Sequence, residues 1–126
     1  MQHKATVTTF LLLLLVLFTH VEAADRQSNV PTGITVHQNY PNPFNPTTTI
    51  SFQLYEPGNL NINVYNIQGQ KVESLATGSE FTPGTHYIHL DGHNWPNGNY
   101  LYRFEFYPEA APHQPVIRTR VMTLLK

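Results

Sequence analysis

From Tyr100 to Phe106 every second residue is aromatic (Tyr100, Tyr102, Phe104 and Phe106), while Arg103 and Glu105 stand on the alternate positions. A period of two places the four rings on one side of an extended strand and both charges on the other, an arrangement a helix does not produce. Thr47–Leu54 alternates in the same way, with Ile50, Phe52 and Leu54 facing one side and Thr49, Ser51 and Gln53 the other. Downstream of residue 24 no stretch carries a helical period of useful length, so the pattern predicts an all-β chain.

Turn residues divide the strands. Glu56-Pro57-Gly58-Asn59 predicts a turn, after which Leu60, Ile62 and Val64 face inward and Asn61 and Asn63 outward. Asn66–Gln70 predicts a hairpin into Lys71–Leu75, with Gly69 taking a positive φ that costs it no Cβ clash. Thr82-Pro83-Gly84 is a second turn, leading to a strand whose inward residues are Ile88 and Leu90 and whose end is marked by Asp91-Gly92. Pro96-Asn97-Gly98-Asn99 introduces the aromatic strand. Prolines at 108, 112 and 115 predict a loop over 108–115, and Val116–Leu125 reads as the closing strand. About seven short strands with turns roughly every ten residues predict an Ig-like antiparallel β-sandwich, a small barrel being the alternative. A parallel sheet is excluded for want of crossover helices.

The N-terminus has the grammar of a secretory leader. Met1–Lys4 forms a short basic segment, Phe10–Phe18 an apolar stretch, and Val21-Glu22-Ala23 a cleavage site. The apolar stretch is shorter than the roughly 20 residues needed to span a bilayer. Residues 1–23 are therefore expected to be a signal peptide, 24–33 a polar linker and 34–126 the β domain.

Composition removes several function classes. The net charge is −1, and no cluster of Lys or Arg gives an electrostatic basis for binding nucleic acid. The chain has no cysteine, which excludes disulfides and thiolate metal sites, so the domain rests on packing alone. His86 and His89 are an odd number of positions apart on a strand and point to opposite faces. His89, His93 and Asp91 are the one weak combination for a metal, and no cofactor or metal is expected. Asp25, Asp91 and Ser51 offer no nucleophilic triad, and Glu73, Glu80 and Glu105 give no sign of sharing a cleft, so no enzyme is expected. Trp95 and Tyr107 are candidate sugar-stacking rings. The competing role for Trp95, a cover over one end of the core, is the favoured one.

The segment Gln38-Asn39-Tyr40-Pro41-Asn42-Pro43-Phe44-Asn45-Pro46 and four later blocks resemble the C-terminal sorting domains carried by substrates of the bacterial type IX secretion system. Related Ig-like modules, including one in flagellar hook-cap proteins, share much of the pattern. Tyr40–Phe44 matches the opening Tyr-Pro-Asn-Pro-Phe run. Val64–Val72 matches a hairpin block centred on Gly69. Pro83-Gly84 with Leu90-Asp91-Gly92, Pro96–Tyr100 around Gly98, and Arg118–Lys126 with Arg118, Arg120 and Lys126 match the rest. Leu90 replaces a frequent Trp, and the loop after Phe106 is unusually rich in proline.

The resemblance implies a non-enzymatic domain that passes through the periplasm, is recognised by an outer-membrane translocon and its surface-attachment machinery, and ends at the cell surface or outside the cell. Such domains usually trail a large cargo, whereas here only the linker separates leader from domain. The chain thus reads as a stand-alone surface protein, a remnant or a borrowed module. The alternatives are an extracellular module binding polysaccharide or protein, and a structural subunit assembling through strand edges. Prolines 41, 43 and 46 are expected at least to stiffen the segment and keep it extended.

Overall fold

A computed structural model describes residues 32–126, and the expected leader, like most of the linker, lies outside them. Seven strands form two antiparallel sheets. They are β1 (Ile34–Val36), β2 (Thr47–Leu54), β3 (Gly58–Asn66), β4 (Lys71–Phe81), β5 (Gly84–Asp91), β6 (Gly98–Pro108) and β7 (Val116–Leu124). One sheet has the order β1-β2-β5 and the other β4-β3-β6-β7. The expected β-sandwich is the fold observed.

The alternating residues make the core. Ile50, Phe52 and Leu54 from the small sheet meet Leu60, Ile62, Val64, Tyr102, Phe104 and Phe106 from the large one, all essentially without solvent exposure. Burying each such side chain contributes about 1.5 to 3 kcal/mol. The layers interlock through aromatic edges: the Phe52 and Phe104 rings lie 5.1 Å apart at 62°, and Phe52 and Phe81 lie 5.5 Å apart at 73°. His86 points inward and stacks on Phe52 at 5.3 Å, whereas His89 is exposed and bonds Thr49, so the two histidines do face opposite ways.

Tyr102 ties the layers by a polar bond as well. Its hydroxyl donates to the His37 carbonyl at 2.9 Å and accepts the Asn39 N–H at 3.0 Å. Tyr102→Phe leaves both backbone groups without that partner and is expected to cost about 1 to 3 kcal/mol, read as a lower urea midpoint. Burial pushes the Tyr102 phenol above its ordinary pKa, partly offset by the Asn39 N–H and the nearby Arg120 charge. The folded state therefore holds this proton more tightly than the unfolded chain does. The resulting stability is present below about pH 10 and is lost as pH rises through the raised value. An alkaline unfolding titration should show a larger loss in the parent than in Tyr102→Phe, which keeps only the share due to other raised phenols such as Tyr100.

Four local expectations need correction. The turn before β3 is Tyr55–Pro57, and Gly58 and Asn59 already belong to the strand. Strand β4 continues six residues past Leu75, because its register shifts against β3 let an irregular, half-exposed stretch stay paired as far as Phe81. Pro108 is the last, buried residue of β6 rather than the first of a loop, a strand end being where a missing N–H is tolerated. Residues 41–46 do not run extended. They bend around the end of the sandwich, since Phe44 gains more by entering the core than the prolines gain by prolonging a strand.

Candidate functional site

At one end of the sandwich the N-terminal loop grips the closing strand. Phe44 is 1% exposed; its N–H donates to the Thr123 carbonyl at 2.9 Å, and its carbonyl accepts the Leu125 N–H at 3.0 Å. The Asn42 side chain accepts the Thr123 N–H at 3.0 Å. Pro41 is held from below: its carbonyl accepts bonds from buried Asn39 at 3.1 Å and Thr48 at 2.8 Å, and Asn39 also donates to Thr48 at 3.0 Å. Tyr40, by contrast, projects outward and is 82% exposed, although its backbone exchanges two hydrogen bonds with Thr49.

The Asp91-Gly92 turn abuts this loop. Asp91 is the exposed last residue of β5, and its carboxylate accepts the His93 N–H at 2.9 Å. Space at Gly92 is tight: a Cβ there would stand 3.1 Å from Leu124, 3.2 Å from Phe44 and 3.2 Å from Trp95, so those side chains would have to give by a few tenths of an ångström. The Trp95 ring packs on the core and lies 5.0 Å from Tyr100, so it covers the end of the sandwich as favoured above. Tyr100 is buried, donates to the Pro96 carbonyl, and has its phenol pKa raised by burial. Tyr107, the other candidate stacking ring, bonds Glu105 on its own strand at 3.1 Å. Lys126 closes the group. Its ammonium donates to the carbonyls of His93 at 2.9 Å and Trp95 at 2.6 Å, and its N–H to the Asn97 side chain at 2.9 Å.

The hairpin at Gly69 (φ 81°) lies at the same end, where a depression of about 270 Å³ separates Asn66–Gln68 and Val72 from Pro96–Tyr100, including Gly98. The fold thus gathers Tyr40, Pro41, Asn42, Pro43, Phe44, Gly69, Asp91, Gly92, Gly98, Tyr100 and Lys126 from all five blocks. Gly84 is not among them, because it starts β5 opposite Leu54 at the far end. Arg118 and Arg120 lie midway along β7, opposite Phe104 and Tyr102. Arg120 donates to the Val36 carbonyl of the other sheet at 2.7 Å, and Arg118 only to its neighbour Ile117 at 2.9 Å. Both share the parity of the core residues on an edge strand, where an inward-pointing charge discourages edge pairing. Arg120→Ala is expected to cost about 1 kcal/mol in a urea titration, and Arg118→Ala less than about 0.5.

Asn39, Thr48 and Asn97 hold this end together and were not singled out from sequence. Asn97, set between Pro96 and Gly98, carries the one local signal, since Asn beside such residues habitually bonds backbone; Asn39 and Thr48 carry none of their own. Among the described residues no group of three or more His, Asp or Glu side chains is placed to hold a metal ion.

This geometry defines a class: a small β-sandwich in which a proline-containing loop locks the closing strand in place and the exposed turns gather at one pole. The chain belongs to the secretion system C-terminal sorting domain family, whose pattern matches residues 38–117, so that most of β7 lies beyond the matched region. Membership implies a secretion sorting signal, interaction with the type IX secretion machinery and secretion across the outer membrane, and the family is non-catalytic. Among solved structures, the chain is similar to CopC from Methylosinus trichosporium OB3b at 14% identity and a TM-score of 0.48, over 72% of this chain and 92% of that one. No curated protein matches it significantly.

Proposed function

We propose that the pole formed by Tyr40–Phe44, Asp91–Tyr100, the Gly69 hairpin and Lys126 is the surface that the outer-membrane translocon reads, after the leader has carried the chain into the periplasm, and that surface attachment follows export. The observation carrying this reading is polarity. The described chain begins at Thr32 and Gly33, beside Tyr55 and Glu56 at the end of the sandwich opposite this pole. Whatever is joined upstream therefore attaches at the end of the domain away from the pole. Recognition of a folded pole also explains why its residues come from blocks far apart in sequence: only the assembled sandwich presents them together.

A folded reporter placed between Ala24 and Thr32, in a host with a type IX system, tests the proposal. Surface display that disappears when the translocon is deleted supports it. Retention of a correctly folded fusion in the periplasm refutes it for that host. If display also survives Arg118→Ala with Arg120→Ala in a folded fusion, those charges are structural only, as their position away from the pole leads one to expect.

A further inference from the structure

A sandwich has four sheet edges, and three of them here are guarded. Strand β1 is three residues long, and its Val36 carbonyl is taken by Arg120. Strand β7 carries Arg118 and Arg120 at inward parity, is gripped by Phe44 at Thr123 and Leu125, and gives its Val121 carbonyl to Gln38. Strand β4 is broken by register shifts and by Gly78 at φ 58°. Short edges, inward charges and bulges are the usual defences against pairing with another chain.

Strand β5 has none of these. It pairs with β2 over eight consecutive residues without a shift, contains no Lys, Arg or Pro, and carries one fixed charge, Asp91, at its last position. The direction of its free groups follows from the ladder. Thr49 bonds Tyr40 and Ser51 bonds His37, so the odd-numbered residues of β2 direct their backbone groups toward β1 and the even-numbered ones toward β5. Their partners Gly84, His86, Ile88 and Leu90 are thereby satisfied, whereas Thr85, Tyr87 and His89 direct N–H and C=O outward. Among the described residues nothing bonds those groups.

We propose that β5 pairs with β5 of a second copy of this chain, antiparallel and centred on Tyr87, joining two three-stranded sheets into one of six. Only one kind of register satisfies the free groups on both sides. With Tyr87 opposite its symmetry mate, Thr85 meets the other copy's His89, and each of these opposed pairs exchanges two hydrogen bonds. The side chains on the outer face then match: Tyr87, 65% exposed, stacks beside its mate, and the Thr85 hydroxyl meets an imidazole. No like fixed charges are opposed, since the Asp91 carboxylates fall at opposite ends of the paired segment. A contact this small lies below the roughly 1,200 Å² of a standard stable interface, so the dimer is weak and forms where the chain is concentrated.

The absence of cysteine makes the register testable in the full exported chain. In the proposed dimer the two copies of residue 87 form a hydrogen-bonded pair with Cα atoms about 5.5 Å apart, within disulfide range. The two copies of residue 89 are offset by four residues, about 13 Å, and cannot join. Under mild oxidation Tyr87→Cys is expected to convert largely to a disulfide-linked dimer and His89→Cys to stay monomeric. Equal cross-linking of the two variants, or none in either, overturns the proposal. Sedimentation velocity adds a test without thiols: the parent should show a mass-average that rises with concentration, and Tyr87→Lys, which opposes two charges at the centre of an exposed strand, should not. A parent that stays monomeric at the highest soluble concentration also overturns it.

Discussion

Phe44→Ala is expected to cost about 3 to 5 kcal/mol, the range for truncating a buried aromatic. That is a large share of the roughly 5 to 15 kcal/mol that holds a domain of this size folded. The ring is 1% exposed and fills the space above Gly92 beside Leu124 and Trp95, so its loss opens a cavity at the pole. It also weakens the backbone grip on Thr123 and Leu125, because that pairing is held in place by the seated ring. Urea unfolding followed by near-ultraviolet circular dichroism measures the effect, and a midpoint within error of the parent would contradict it. Tyr40→Ala is the informative companion. That ring is 82% exposed, and its removal should change stability by less than about 0.5 kcal/mol. If the pole is the recognised surface, Tyr40→Ala should unfold like the parent yet lose display of a fused reporter. Phe44→Ala loses display through loss of fold. Parental display by Tyr40→Ala would remove Tyr40 from the recognised surface while leaving the role of Phe44 untouched.

Gly58→Ala should be nearly as damaging, at about 3 kcal/mol, the upper end of the usual cost of overpacking. Gly58 opens β3 at the far end, between Phe81 and Pro108 of the neighbouring strands. A Cβ there would run into the Tyr107 carbonyl oxygen and come within 2.5 Å of the Phe106 ring. A ring can tilt away, but a backbone oxygen moves only with its strand, so β3 and β6 must separate locally. The adjacent Asn59→Ala is exposed and should fall within about 0.5 kcal/mol of the parent. A urea midpoint for Gly58→Ala matching that of Asn59→Ala would show that the strands yield more easily than the close approach implies.

Gly58 also shows where reading the chain alone fails. Next to Pro57 it has the chemistry of a turn, and nothing nearby in sequence announces that Tyr107 and Phe106, almost fifty positions away, press against it. The positive φ of Gly69 was legible because that turn is closed by its own neighbours: the Asn66 side chain accepts the Gln68 and Gln70 N–H groups at 3.0 Å. Strands β2 and β6 were legible for a related reason, since burying every second residue imposes a period that any one strand displays by itself. Strand β4 hid its length because its half-exposed residues follow no clean alternation.

The sequence alone determined the class of the fold, the inward face of each regular strand and the motif blocks, all consequences of backbone geometry acting over a few neighbouring residues. Only the tertiary structure decided that Phe44 reaches across the sandwich to hold β7, that Gly84, Arg118 and Arg120 stand apart from the pole, and that β5 is the one edge left open. Those facts depend on which strands become neighbours. That choice is settled by the packing of two whole sheets against each other, a sum over distant contacts that no local stretch of residues contains.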